Sequence, residues 1–248
     1  MSKHSVLITG AMGGIGHILC KAFAKQGWSV IATDITPPNK GGLGSHYIQC
    51  NLENLLRDQA EMAGFKRGVL EVCASAPLKA IINNAAVQTL GPTETLSAQD
   101  ILSSLAVNVA APFLLVQQFL AELTQAKGCV LNIGSVHAQA TKPEFAAYAT
   151  SKTALHGLTR ALAVDLGPRV RVNTLAPAAT ATPMLLAGFE GKEDSLAQLA
   201  QMHPVGHIAD PQEISNIATF LCSDEASFIT GSTFYADGGI LSRLHDPD

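Results

Sequence analysis

The sequence has no excess of positive charge. Sixteen Lys and Arg against 20 Asp and Glu leave a formal net charge of −4, which gives nothing for nucleic acid or an anionic membrane surface to hold. Cysteine is present without a pattern. Cys20, Cys50, Cys73, Cys129 and Cys222 contain no CxxC pair, their odd number argues against a disulfide framework, and several stand among apolar neighbours where a thiol behaves as a small hydrophobe. His203 and His207 form no ligand spacing with any Cys or carboxylate, so no metal is expected. The apolar run at the amino terminus is too short for a signal peptide, and no stretch is expected to approach the ~20 apolar residues that span a bilayer. Linkers, charge blocks and internal repeats are also missing. With 248 residues and 47% apolar content, these absences leave one large domain over 1–248 in a cytoplasmic protein whose partner is a small molecule.

What is present is an alternation. Apolar strand-like runs at 6–8, 28–33, 46–50, 78–82, 129–133, 170–175 and 233–235 alternate with stretches of helical period, a pattern that predicts an α/β fold with a parallel sheet wrapped on both faces. Ligands of such sheets sit at the carboxyl ends of the strands. Residues 52–78 give only a diffuse helical pattern. A long helical stretch runs from about Ser97 to Ala126, with Asn108 in an apolar surround and Pro112 predicting a kink that frees a backbone carbonyl. The segment around 179–207 could close over a substrate, or could be a plain pair of surface helices. Asp210-Pro211 opens another helix, the loop 36–42 follows the second strand, and the tail 243–248 is expected to be loosely ordered.

Three local features carry chemistry. The first strand runs into Thr9-Gly10-Ala11-Met12-Gly13-Gly14-Ile15-Gly16 and then a helix, an order that suits a dinucleotide: glycines let the backbone approach a pyrophosphate, and the helix start offers free N–H groups. The same residues could form only a tight turn. Asp34 closes the second strand about 20 residues later, where a carboxylate can accept from the adenosine ribose hydroxyls and repel a 2′-phosphate; it could also simply open a loop. With no Lys or Arg beside it, NAD is expected over NADP. Tyr148 and Lys152 share one face of a helix at i, i+4. An ammonium near a phenol favours the phenolate, and lowering a phenol by about 3 units from ~10 needs roughly 4 kcal/mol. A mere surface pair is the alternative.

Taken together, Thr-Gly-x-x-x-Gly-x-Gly at Thr9 to Gly16, Asn83-Asn84-Ala85, Asn108, Ser135, Tyr148-x-x-x-Lys152, Asn173, Pro177 and Asp237-Gly238-Gly239 resemble the short-chain dehydrogenase/reductase family. The resemblance spans Thr9 to Gly239. It implies a doubly wound Rossmann-type three-layer sandwich with a seven-stranded parallel sheet, assembled as a homotetramer or homodimer. It also implies roles. Tyr148 would exchange the proton with the substrate, Lys152 would lower its pKa and hold the nicotinamide ribose, Ser135 would donate to the substrate oxygen, and Asn108 would position a water. Cofactor binding would fall to Gly10, Gly14, Ile15, Gly16, Asp34, Asn51, Leu52, Asn83, Ala85, Tyr148, Lys152, Thr180 and Thr182. Ala86 and Ala178 replace glycines usual in the family, and Asn51 replaces a frequent Asp. By family position, Gln88, Thr89, Lys142, Phe145 and Met184 are candidates for the substrate pocket; His137 could touch substrate or be an ordinary loop residue, and His156 reads as a packing residue.

Three functions compete at this stage. The first is an NAD-dependent dehydrogenase interconverting a secondary alcohol and a ketone on a small hydroxylated or cyclic compound. The second is an NADP-dependent reductase of 3-oxoacyl thioesters on an acidic carrier protein, which Asp34 and the missing basic cluster disfavour. The third is a catalytically silent cofactor-sensing protein, which would not need the intact Ser135, Tyr148 and Lys152.

Overall fold

In both faces of each central strand the residues are apolar, and such strands are stable only when buried on both sides. The computed structural model, which describes residues 4–38 and 46–244, buries them that way. Strands β1 Ser5–Thr9, β2 Ser29–Asp34, β3 His46–Gln49, β4 Leu78–Asn83, β5 Cys129–Ile133, β6 Arg171–Pro177 and β7 Thr233–Ala236 form one parallel sheet in the order β3-β2-β1-β4-β5-β6-β7. The helices are α1 Gly14–Lys25, α2 Leu52–Leu55, α3 Gln59–Cys73, α4 Ala98–Leu105, α5 Ala111–Gln118, α6 Leu120–Gln125, α7 Ala146–Leu166, α8 Pro183–Gly188, α9 Glu193–Met202 and α10 Pro211–Cys222. This is the Rossmann-type three-layer sandwich that the alternation and the resemblance predict.

Successive strand residues point to opposite faces. Leu7, Ile31 and Ile81 therefore pack with Phe65, Val69, Leu115 and Phe119 on one side, while Val6, Ile8, Val30 and Ile82 pack with Leu19, Phe23, Ile214 and Leu221 on the other. Each large side chain so buried contributes about 1.5–3 kcal/mol. The strand order reverses between β1 and β4, so the connections leaving them diverge and open a crevice at their carboxyl ends.

Local detail departs from the sequence reading in several places. The stretch from 97 to 126 is helical but irregular at two points. Residues Ala106–Ala110 form a π-helical turn in which the Ala111 N–H reaches the Ala106 carbonyl, and the chain breaks again at Phe119. Pro112 sits in the first turn of α5. Its missing N–H cannot serve the Asn108 carbonyl four residues earlier, so the ladder is disturbed where the π turn lies.

The expectation that no apolar stretch is long enough to cross a bilayer also needs correction. Ala98–Gln118 is helical over 21 residues with mean hydropathy 1.5. It starts in a capping box of Ser97 and Asp100, buries Ser104 and Asn108 and packs along α7, as a layer helix of the sandwich does. The diffuse region 52–78 resolves into α2 and α3, each with its own N-cap, Asn51 and Asp58. Strand β3 stops at Gln49. Of the expected loop 36–42 and tail 243–248, residues 39–42 and 245–248 lie outside the described part.

Candidate active site

Strand β5 delivers Gly134 and Ser135 to the carboxyl edge of the sheet. Ser135 is buried and caps a 3-10 turn, Val136–Ala138, its Oγ accepting from the His137 N–H at 3.2 Å. With that lone pair engaged, the Ser135 proton is left to donate outward. Helix α7 begins after Phe145 and carries Tyr148, half-buried, and Lys152, only 3% exposed. The Lys152 ammonium lies 5.6 Å from the Tyr148 ring centroid and donates to the Ile133 carbonyl at 2.7 Å, tying helix to strand two residues before Ser135.

Asn108 belongs to the same assembly. Its Oδ1 accepts from the Val87 N–H at 2.9 Å, and its Nδ2 donates to the Val87 carbonyl and to Ser151 Oγ, each at 2.9 Å. Ser151 in turn donates to the Tyr148 carbonyl at 2.7 Å. The side chain thus fastens the loop after β4 to the second turn of α7. Sequence reasoning missed Ser151, although a polar residue on the inner face of an alanine-rich helix is the signal that could have found it. It also missed a buried chain beneath the site: Asn83 Nδ2 to Asn132 Oδ1, Asn132 Nδ2 to Thr159 Oγ1, and Thr159 with Thr174.

The electrostatics run against one expectation. Burial pushes the Tyr148 phenol up from its ordinary value, and only the Ser135 hydroxyl beside it pulls the other way. The Lys152 ammonium is directed to the Ile133 carbonyl rather than to the phenol oxygen, and burial outweighs the pull of Ser135 on the Tyr148 proton. Burial brings Lys152 down to about 8. One turn further on, His156 falls to about 4, through burial first and then the charges of Lys152 and Arg160. Its Nε2 is buried without a hydrogen-bond partner and abuts Gly134, where a Cβ would come within 2.3 Å of it.

Around the phenol stands an aromatic wall. His137 stacks on Phe145 with centroids 4.3 Å apart and planes at 15°. Both rings meet Tyr148 edge-on, at 5.9 and 6.1 Å, and Lys142 Nζ sits 4.8 Å from the centre of the Phe145 ring. Gln88 is exposed and Thr89 half-buried, while Met184 is 77% exposed.

On the nucleotide side the glycine turn is shaped by close approach. Gly10 has φ +65°, and a Cβ on it would lie 2.7 Å from Ala85 Cα; one on Gly16 would lie 2.0 Å from the Gly10 carbonyl, and one on Gly14 would lie 2.7 Å from the Thr182 side chain. Thr9 Oγ1 accepts from the Asn84 and Ala85 N–H groups, while Asn84 Nδ2 donates to the Thr9 and Gly10 carbonyls. Gly13 caps α1 without a side chain, which leaves first-turn N–H groups for an anion. Ile15 packs partly into the core beneath. The Asp34 carboxylate accepts from the Met12 N–H at 2.9 Å and the Thr36 N–H at 3.0 Å, which sets it at the mouth of the turn.

Several expected binders are already engaged. The Asn83 side chain is bonded to Asn132 in the interior, so its backbone is what remains for a ligand. Asn51 Oδ1 caps α2 through the Glu53 N–H at 3.0 Å, and the Leu52 side chain is in the core. A cleft of about 440 Å³ opens beside them, walled by Ile35, Cys50, Asn51, Leu55 and Phe65. Thr180 Oγ1 donates to the Ala178 carbonyl at 3.2 Å, and Thr182 caps α8. Ala86 and Ala178 have no positive φ, so neither loop requires glycine here.

Comparison with known proteins fits this geometry. Residues 10–241 match the family profile described as enoyl-(acyl carrier protein) reductase. The chain belongs to the short-chain dehydrogenase/reductase family. Its relatives in the family include protein FixR of Bradyrhizobium diazoefficiens, 35% identical over 94% of this chain and 85% of that one. The cyclopentanol dehydrogenase of Comamonas testosteroni is 32% identical over 96% of this chain and 97% of that protein. Among solved structures, the ligand-free aldohexose dehydrogenase of Thermoplasma acidophilum superposes with a TM-score of 0.91 at 27% identity, covering 100% of this chain and 97% of that one. A 4-hydroxyisoleucine dehydrogenase complexed with NADH gives 0.86 at 30% identity, covering 98% and 100%. As a short-chain dehydrogenase/reductase, the chain is an oxidoreductase of CH–OH groups.

Proposed function

We propose that this protein is an NAD-dependent dehydrogenase that interconverts a secondary alcohol and a ketone on a small hydroxylated or cyclic substrate. The observation that carries the reading is the convergence of the Ser135 hydroxyl with Tyr148 and Lys152 on α7. Ser135 donates to the substrate oxygen and steadies the charge that develops there. Tyr148, whose burial favours the phenol, gives its proton to that oxygen in carbonyl reduction; in alcohol oxidation its phenolate form takes the proton from the substrate hydroxyl. Lys152 stands next in line for the proton. The Asn108 carbonyl, which Pro112 cannot serve as a donor, is the acceptor that could hold a water between Lys152 and solvent.

The residues present fit a dinucleotide, because a Cβ at Gly10, Gly14 or Gly16 would fill the cradle. Gly10, Gly14, Ile15 and Gly16 would receive the pyrophosphate, with Thr182 above it and Thr180 near the carboxamide. Ala85 and the Asn83 backbone would take the ribose side, with Lys152 on the nicotinamide ribose, and Asn51 and the Leu52 N–H the adenine, beside a cleft of the size such a ring needs. The nicotinamide supplies the two-electron hydride chemistry when bound. Asp34 favours NAD, since its carboxylate would repel a 2′-phosphate; the complex of the 4-hydroxyisoleucine dehydrogenase with NADH is in keeping with this. The cyclic alcohol named for the Comamonas relative supports the substrate class.

The segment 179–207, in which α8 and α9 bury no residue completely, would cover the bound substrate. Leu102, Phe113 and Val164 are exposed on α4, α5 and α7 and would bury their faces in a homodimer or homotetramer. Five free thiols suit the reducing cytoplasm. The test is a panel of secondary alcohols and ketones, open-chain and cyclic, followed by nicotinamide absorbance with NAD and NADP in parallel. We expect turnover with kcat/KM at least about tenfold higher for NAD, the size of one buried charge contact. A higher value with NADP would defeat the argument from Asp34.

A further inference from the structure

The aromatic wall beside Tyr148 contains one group with unused hydrogen-bonding capacity. Resting on the alcohol dehydrogenase reading above, we propose that His137 determines specificity, its Nε2 binding a second oxygen on the carbon next to the reacting one. The preferred substrates are then vicinal diols and the corresponding α-hydroxy ketones.

The ring is fixed from four directions. Its backbone N–H is bonded to Ser135 Oγ at 3.2 Å, so the residue cannot move without the hydroxyl that faces the substrate. One face stacks on Phe145 at 4.3 Å, and the Tyr148 ring meets it edge-on at 5.9 Å. Its Nδ1 is bonded to Thr141 Oγ1 at 3.0 Å. Among the described residues Nε2 has no bond, nor is it among the buried atoms left without one, so it is open to a ligand.

The chemistry of that nitrogen suits a hydroxyl or a carbonyl. Burial and the neighbouring Lys142 lower the pKa of the ring, which keeps the imidazole neutral. The Thr141 hydroxyl can donate to Nδ1 or accept from it, so Nε2 can carry the proton or the lone pair as the ligand demands. An alcohol with only hydrocarbon beside its reacting carbon would cover Nε2 and give it no partner, and a site built to bond a hydroxyl discriminates against the analogue that lacks it. The neighbouring carbon is the right place for the second oxygen, because His137 is only two residues from Ser135 and in contact with Tyr148. Lys142 is a weaker candidate for this role, being exposed and directed to the Phe145 ring.

The test compares kcat/KM for cis-1,2-cyclopentanediol and for cyclopentanol, using the whole protein with NAD, in the wild type, His137→Phe and His137→Gln. The readout is the ratio of the two values within each protein, which cancels any loss of turnover common to both substrates. We expect a wild-type ratio of about 10 to 100 in favour of the diol, a fall to within about twofold of unity in His137→Phe, which keeps the ring stack, and partial recovery in His137→Gln, whose amide can reach the place of Nε2. Equal values in the wild type, or a preference that survives His137→Phe, overturns the proposal. A preference that is lost in Lys142→Gln and kept in His137→Phe overturns it too. Binding of 2-hydroxycyclopentanone against cyclopentanone to the protein with NADH, followed by NADH fluorescence, gives the same ratio without turnover. If that ratio behaves as expected while no alcohol is oxidised, the specificity stands and the dehydrogenase reading fails.

Discussion

Helix α7 carries Tyr148 and Lys152, the helix pair α8 and α9 follows Thr182 at the glycine turn, and the two are built by opposite rules. Along α7, Ala147, Ser151, Lys152, Leu155, His156 and Thr159 are all buried, and the side chains of Ser151, Lys152 and Thr159 are bonded to another element or to the helix itself. Neither α8 nor α9 buries a single residue. Among the described residues the pair is anchored by the Ala181 N–H on the Ala209 carbonyl, the Val205 N–H on the Gly238 carbonyl, Arg243 Nη1 donating to the Gln201 and Met202 carbonyls at the end of α9, and Thr182 against Gly14. A segment with so little burial between its anchors opens locally at small free-energy cost. On the proposed reading, proton transfer, which needs fixed geometry, falls to the packed helix, and the exposed pair has room to move.

The sharpest way to break this division is Tyr148→Phe. The substitution keeps the edge-on contacts with His137 and Phe145 and removes only the proton-transfer group. We expect kcat to fall by about 10² to 10⁴ with cofactor affinity unchanged by NADH fluorescence titration. Turnover near the wild-type level would take the proton role away from α7.

Lys152 tests the same helix through stability. Its pKa is about 8 in the folded protein against an ordinary 10.5, so the folded state holds the proton more weakly than the unfolded chain does. The group then destabilises the fold fully below pH 8, and the penalty fades as pH rises toward 10.5. A shift of that size corresponds to about 3 kcal/mol, partly offset by the bond to the Ile133 carbonyl, whose loss costs about 1–2 kcal/mol. Lys152→Met should thus abolish turnover and raise stability by about 1–2 kcal/mol at pH 7. Thermal melts from pH 6 to 10 should show the gain shrinking above pH 8. A variant less stable than the wild type at every pH would mean that the ammonium is not desolvated.

Gly134→Ala addresses the packing itself. The added methyl would meet His156 Nε2 at 2.3 Å and Thr174 Cγ2 at 2.6 Å, and overfilling of this kind costs about 1–3 kcal/mol. Combining it with His156→Ala removes the first clash and should recover part of the loss in a urea melt. No recovery in the double variant would mean that Thr174, not His156, confines the strand end.

These pairs also mark how far the sequence could be read. The glycine turn was legible because it acts through backbone, and Tyr148 with Lys152 because helical spacing alone puts them on one face. The direction of the Lys152 side chain was not, since it depends on the Ile133 carbonyl of a strand 19 residues away. For the same reason Asn83 and Asn51 looked like free binders: one is turned inward to Asn132, the other occupied as a helix cap. The stack of His137 on Phe145 crosses a turn whose shape no periodicity encodes, and the π turn at Ala106–Ala110 differs from an α-helix by one residue of register, below what spacing can resolve.

The smallest expected effect sharpens the other half of the comparison. Met184 is 77% exposed at the start of α8, two residues beyond the Thr182 that touches Gly14. Met184→Ala removes little buried surface, so stability should change by less than about 0.5 kcal/mol. If α8 closes over the substrate, the thioether becomes part of the cover only in the closed state, and its loss weakens closure without disturbing the hydroxyls of Ser135 and Tyr148. KM should then rise about two- to fivefold with kcat nearly unchanged, the signature of binding energy lost equally from ground and transition states. A change in kcat alone would place the methionine against the reacting atoms. No change in either constant would make α8 and α9 a plain surface pair, and the contrast with α7 would then be one of packing without a division of labour.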